Sequence, residues 1–322
     1  MTQSDWTLPS PGGHMERRSG IYLQTMTMKD IDERLEQNDV LIVPLGATEA
    51  HGPNAPLGED IFLVTRMAEL VAERTGCTVS APLWWGSHPY HHLGMPGTIP
   101  IPDEVFTGFL RALMAGYWNM GFRKMIFLNG HGQEYIIPSA IHEFGKRYRV
   151  PALIMALNWY HAVPEHFGTG EDGPYETPFI HADEAETSWT LALFPELIKQ
   201  EWAVDNKPYR YMPDGHIDTA GNVGQKPINW YGHIGGGPIE IKAYPEGVVG
   251  RPSLATAEKA EPGVRAFLDY LERLVRDIGA TFPPGTLPPT NEITERSEEE
   301  LAEILKGPRK GGKSIYSLGW PT

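Results

Sequence analysis

The stretch from Leu41 to Asp60, LIVPLGATEAHGPNAPLGED, constrains this chain more than any other. Its apolar opening (Leu41, Ile42, Val43) has the composition of a buried strand and stops at a Pro/Gly turn. The period then changes. From Ile61 to Arg74, apolar Phe62, Leu63, Met67, Leu70 and Val71 mark one face of an amphipathic helix. The alternation repeats down the chain: Val79 to Leu83 reads as a strand, Asp103 to Met120 as a helix, Met125 to Leu128 as a strand, Glu134 to Tyr148 as a helix and Ala152 to Leu157 as a strand. A short helix, Met28 to Gln37, precedes the first strand, and a long one, Ala255 to Ile278, follows later. Strands alternating with helices specify a parallel sheet covered on both faces. The expected fold class is therefore α/β, a three-layer α/β/α arrangement with a central, mostly parallel sheet.

Composition narrows the partners. A net charge of −14 over 322 residues argues against nucleic acid and against an anionic membrane surface. It does not exclude anionic substrates, because bound divalent cations can dominate a local field. No apolar run approaches the roughly 20 residues of a membrane span, and the N-terminus shows no signal-peptide pattern. Cys77 has no second cysteine to pair with. The expectation is a cytoplasmic protein acting on a small molecule. Residues 1–20, rich in Pro, Gly, Ser and charge, read as a mobile arm, residues 21–280 as one domain, and residues 281–322 as an extension. Tyr209 to Gly247 is Gly-, Asn- and aromatic-rich with little periodicity, as in functional loops or loops packed on a neighbouring subunit.

Chemistry gathers where strands end. The first turn presents Glu49, His51 and Asp60; the Met125 strand runs into Asn129-Gly130-His131-Gly132; and His181-Ala-Asp183-Glu184-Ala-Glu186-Thr-Ser opens a helix. Loops at strand ends are held by a rigid scaffold, and this mix of imidazole and carboxylate suits zinc or manganese. Each residue has a plainer reading taken alone. Asp60 could be a helix N-cap, Glu186 a first-turn glutamate favoured by the helix dipole, and His131 a structural histidine. Trp84, Trp85, His88, Tyr90, His91 and His92 crowd one loop, which could wall a ring-shaped ligand or serve as an oligomer contact.

GATEAHGPNAPLGED, NGHG, HADEAETS and GVVGRPSLATAEKAEPG, in that order, resemble the creatininase (creatinine amidohydrolase) family from about Leu41 to about Leu274. The resemblance implies an α/β/α fold, two divalent metal ions per subunit, ring-opening hydrolysis and a homo-oligomer, commonly a hexamer. It implies Glu49, His51, Asp60 and His131 as metal ligands, with Asp60 bridging the ions, and His181 as proton donor or acceptor near the leaving group. Creatininase has a glutamate ligand two residues after the Asn-Gly-His histidine, where this chain has Gln133. The ETS motif then points to Glu186 as the fifth ligand, with Glu134 in reserve. Creatininase also has a glutamate just before the catalytic histidine, where this chain has Ile180. These departures turn the expectation from creatinine to the family members that open an inositol-derived cyclic diketone, 3-dehydro-scyllo-inosose, by carbon–carbon hydrolysis. A lactam amidohydrolase and a metal-dependent deformylase or peptide-trimming hydrolase are the alternatives. Trp159, Asn158, Tyr90 and His91 are the expected substrate contacts, and the C-terminal extension is expected to pack on a neighbouring subunit.

Overall fold

The computed structural model describes residues 20–170, 173–207, 213, 240–287 and 294–319. The expected N-terminal arm up to residue 19 and most of the Gly-rich stretch lie outside the described residues, as does the side chain of His91.

Four strands form one sheet: β1 (Val40–Leu45), β2 (Thr78–Val79), β3 (Lys124–Asn129) and β4 (Leu153–Asn158). Their order is β2-β1-β3-β4, and every pairing is parallel. β2 is shorter than the expected Val79 to Leu83. Pro82 has no N–H to give a ladder, so beyond Val79 the segment keeps only single contacts with β1, Ser80 N–H to the Ile42 carbonyl and Leu83 N–H to the Pro44 carbonyl. Leu45, Asn129 and Asn158 stand opposite one another in register, so β1, β3 and β4 end at one level and their loops leave from one edge. That edge is where a parallel sheet builds a site.

Side-chain alternation assigns the two faces. Val40, Ile42, Ile126 and Leu128 point into one core, together with residues of α2 (Glu59–Thr75). Leu41, Val43, Leu45, Met125 and Phe127 point into the other, against α3 (Asp103–Met120) and α4 (Ile136–Tyr148). Helix α1 (Met28–Gln37), closed by a Thr27/Asp30 capping box, adds Ile31 to this second core. After β4 come α5 (Trp159–Ala162), α6 (Glu184–Leu193), α7 (Glu240–Ala243) and α8 (Ala257–Thr281); α6 and α8 join the first core beside α2. The result is the expected three-layer α/β/α arrangement. No described helix is long and apolar enough to cross a membrane.

The described part of the C-terminal extension includes α9 (Glu298–Lys306). Leu301, Ile304, Ile315 and Leu318 are buried in this chain's own second core, beside α3 and α4. Its apolar stripe covers a face that these helices would otherwise expose. Its start is fastened by Lys124, fully buried at the beginning of β3, which pairs with Asp39 at 2.7 Å and donates to the carbonyls of Phe282 and Pro283.

Candidate metal centre

Three loops deliver the site, and two glycines set how closely they meet. A Cβ on Gly130 would lie 2.1 Å from the Asp60 carbonyl, and one on Gly46 2.6 Å from the Ile61 nitrogen. Only glycine lets the start of α2 press against the ends of β1 and β3. Asp60 thereby reaches both the β1 loop, which carries Glu49 and His51, and His131 after β3. Helix α6 brings the third group. Asp183 caps it, accepting from the backbone N–H groups of Ala185 and Glu186 at 2.8 and 3.1 Å and from that of Ile180. Ala182 stands between His181 and Asp183 at φ +47°, a left-handed conformation rare for residues other than glycine. Its N–H donates to Glu186 Oε2 at 2.6 Å, which holds this turn and aims both His181 and Glu186 inward.

All five expected ligands converge, each at most 5 % exposed. Asp60 spans two histidines, with Oδ1 3.3 Å from His51 Nε2 and Oδ2 3.0 Å from His131 Nδ1. Glu186 Oε2 lies 3.8 Å from His51 Nε2, and Glu49 Oε2 lies 2.8 Å from His131 Nδ1. The arrangement has two halves that meet at Asp60: His51, Asp60 and Glu186 offer ligand atoms within 4.8 Å of one another, and on the other side His131 lies between Asp60 and Glu49. His51 Nδ1 sits 3.1 Å from the Glu49 carbonyl, so it donates there and leaves the Nε2 lone pair facing the carboxylates.

Electrostatics tests whether cations fit. Burial alone would lower the pKa of His51, but Asp60 and Glu186 more than reverse it and hold it well above the usual imidazole value. His131 likewise is pushed up to about 10 by Glu49 and Asp60 against burial. Burial would raise Glu49, yet His92, His131 and His181 pull it well below the usual carboxylate value. Asp60 is lowered in the same way by His51 and His131. Buried carboxylates facing lone-pair nitrogens demand positive charge, supplied by protons or by metal ions. Glu49 Oε1, His51 Nε2 and Asp60 Oδ2 make no aligned hydrogen bond among the described residues, although each is buried. The donor set fits two divalent cations.

Gln133 lies outside this set. It is fully buried, its Oε1 accepts from Ser87 N–H at 3.0 Å, and its Nε2 donates to the Gly46 carbonyl at 3.2 Å and to Asn129 Oδ1 at 3.0 Å. The amide ties three loops together instead of facing a cation. Glu134 also stands apart, accepting from the Tyr160 hydroxyl at 3.4 Å, with its pKa raised by burial to about 7. Glu186, not Glu134, sits with His51 and Asp60.

The expected substrate contacts are placed differently. Trp159 is fully buried in the first core against Trp189, with ring centroids 4.4 Å apart, because α5 turns it under the sheet edge. Its neighbour Tyr160 lines the cavity in its place, with His92, Phe179, Ile180 and His181. Asn158 Oδ1 accepts from Asn129 Nδ2 at 2.9 Å and lines no part of that cavity. Tyr90 is 52 % exposed and lines no part of that cavity. Within the same loop the structure selects His92 and His88. His92 Nδ1 is 2.6 Å from Glu49 Oε1, and the His88 ring is 4.4 Å from that of His131. Burial pushes the His88 pKa down to about 3, so this imidazole is neutral. The crowding of histidines signalled this loop, but nothing in its spacing separates inward His88 and His92 from outward Tyr90. Glu240, buried beside His181, comes from a stretch without any periodic signal.

Known proteins resemble this chain in sequence and in fold. The chain is 62 % identical over 307 residues to the 3-dehydro-scyllo-inosose hydrolase of Thermotoga maritima, covering 95 % of this chain and 99 % of that protein. The solved structure of a manganese creatininase aligns with a TM-score of 0.64 at 23 % identity, covering 82 % of this chain and 100 % of that one. A Zn–Zn form of a creatininase mutant aligns with a TM-score of 0.64 at 22 % identity, covering 82 % and 98 %. The sequence model described as creatinine amidohydrolase matches residues 24–275, and the chain belongs to the creatininase family.

Proposed function

We propose that this protein is a metal-dependent hydrolase that opens an inositol-derived cyclic diketone, 3-dehydro-scyllo-inosose, at a carbon–carbon bond. The observation that carries the chemistry is the Asp60 carboxylate spanning His51 and His131, with Glu186 and Glu49 on either side. The substrate rests on the Thermotoga maritima relative, matched across nearly the whole of both chains.

His51, Asp60 and Glu186 would hold one divalent ion, and Glu49, Asp60 and His131 the other. Zinc or manganese bound there supplies Lewis acidity toward a ring carbonyl and lowers the pKa of water. The protein's own groups do the rest. Three oxygens surround His181 Nε2: the Ala50 carbonyl at 2.8 Å, Glu240 Oε1 at 3.4 Å and Glu49 Oε1 at 3.8 Å. Surrounded by acceptors, Nε2 carries the proton and Nδ1 keeps the lone pair, ready to take and return a proton at the leaving carbon. Tyr160, Phe179 and Ile180 wall the cavity and exclude bulk water.

The same reading includes a cytoplasmic homo-oligomer, a hexamer by family resemblance. It is supported by the unpaired, buried Cys77 and by exposed large apolar side chains, among them Leu57, Trp84, Trp85, Leu93 and Phe109.

The test is metal analysis of protein purified without chelator, followed by assays on 3-dehydro-scyllo-inosose, creatinine, other lactams and a formylated peptide. Stoichiometric metal and opening of the diketone, both lost in Asp60→Asn, are expected. Turnover of lactams or peptide alone would replace the substrate assignment. Protein that binds no zinc or manganese would end the mechanism.

A further inference from the structure

Among the acidic groups around the cavity, Glu240 has no place in the two-ion set. It is 3 % exposed, and neither carboxylate oxygen has a hydrogen-bond partner among the described residues. Oε1 lies 3.4 Å from His181 Nε2. A buried carboxylate is costly unless something in the site uses it. The residue preceding His181 is Ile180, an apolar cavity wall, so no neighbour in sequence offers His181 a carboxylate. The other carboxylate near this nitrogen, Glu49, is engaged by His92 and His131 at 2.6 and 2.8 Å.

Resting on the functional reading above, we propose that Glu240 is the positioning residue for His181, a carboxylate that shares the Nε2 proton with the Ala50 carbonyl and holds the ring in its productive orientation. A histidine that moves a proton through one nitrogen needs the other fixed by an acceptor, which sets both tautomer and ring angle. The backbone carbonyl at 2.8 Å fixes the tautomer. Glu240 adds a second, charged acceptor from α7, so the ring cannot swing about a single contact. His181 is itself held from the rear, where Val249 N–H donates to its carbonyl at 2.9 Å. Val249 and Glu240 belong to one segment, which thus grips His181 by backbone and side chain together.

The experiment compares metal-loaded wild type with Glu240→Gln and Glu240→Asp. Expected for Glu240→Gln is a kcat lowered by about 10-fold or more, with KM for the diketone and metal content unchanged, and partial recovery in Glu240→Asp. In parallel, the His181 Nε2–H resonance in 15N-labelled protein should shift and exchange faster with solvent in Glu240→Gln. A raised KM with unchanged kcat would make Glu240 a substrate contact and overturn the proposal. An unaltered His181 resonance would overturn it as well. The resonance needs no substrate. A wild type that opens no diketone but loses the protected proton in Glu240→Gln would sink the functional reading and leave the positioning role standing.

Discussion

Gln133→Glu tests most sharply whether position 133 belongs to the loop scaffold or to the metal shell. The native amide donates twice, to the Gly46 carbonyl and Asn129 Oδ1, and accepts once, from Ser87 N–H, with no solvent exposure. An ionised carboxylate would keep the Ser87 bond and set its other oxygen against two acceptors, the Gly46 carbonyl and Asn129 Oδ1. Asn129 Oδ1 keeps the His131 N–H, but the Gly46 carbonyl and the new oxygen are left unpaired at about 1–3 kcal/mol each, so the charged form would lose about 2–6 kcal/mol. Protonation restores one donor and avoids burying a charge, which reduces the loss to about 1–3 kcal/mol. The new carboxyl therefore titrates higher in the folded than in the unfolded state. Its folded form binds the extra proton, so stability falls as pH rises above about 4 and the variant is weaker at pH 8 than at pH 5. Denaturant unfolding at both pH values, with metal content measured alongside, checks this. A variant as stable as wild type that gained metal affinity would place residue 133 among the ligands and refute the argument.

Three further outcomes are expected. Lys124→Met strands the buried carboxylate of Asp39 and should cost about 3–5 kcal/mol, much of it regained when Asp39→Leu is added; equal stability of the single and double variants in denaturant unfolding would deny the pairing. In chelator-treated protein, His131 keeps its proton up to about 10 while the unfolded chain loses it near the ordinary imidazole value of 6.5. The folded state then binds more protons, so stability should decline as pH rises across that window, and zinc or manganese should flatten the slope; an equally steep slope in His131→Asn would assign it elsewhere. Asp60→Asn should remove bound metal from both halves of the site, because one carboxylate spans them, and retention of a full complement by elemental analysis would contradict a shared ligand.

The sequence by itself determined the layering and the five convergent side chains. Short continuous apolar runs and period-3.6 stripes state which elements are buried, and β1 alternates between the two cores as its residues require. Glu49, His51, Asp60, His131 and Glu186 were legible as candidates because each lies at a strand end or helix start, but the resemblance to creatininases singled them out as ligands. Only the tertiary structure decided which other residues meet them. Trp159 and Tyr160 are adjacent in sequence, yet one fills the core and the other lines the cavity; the sense of a four-residue helix makes that choice. His92 was separable from Tyr90 only by the loop's path over Glu49. Gln133 reads as a weak ligand until its three partners from three loops are seen. Glu240 and Lys124 act across separations that no local pattern encodes, because a buried charge finds its partner through the packed fold and not along the chain.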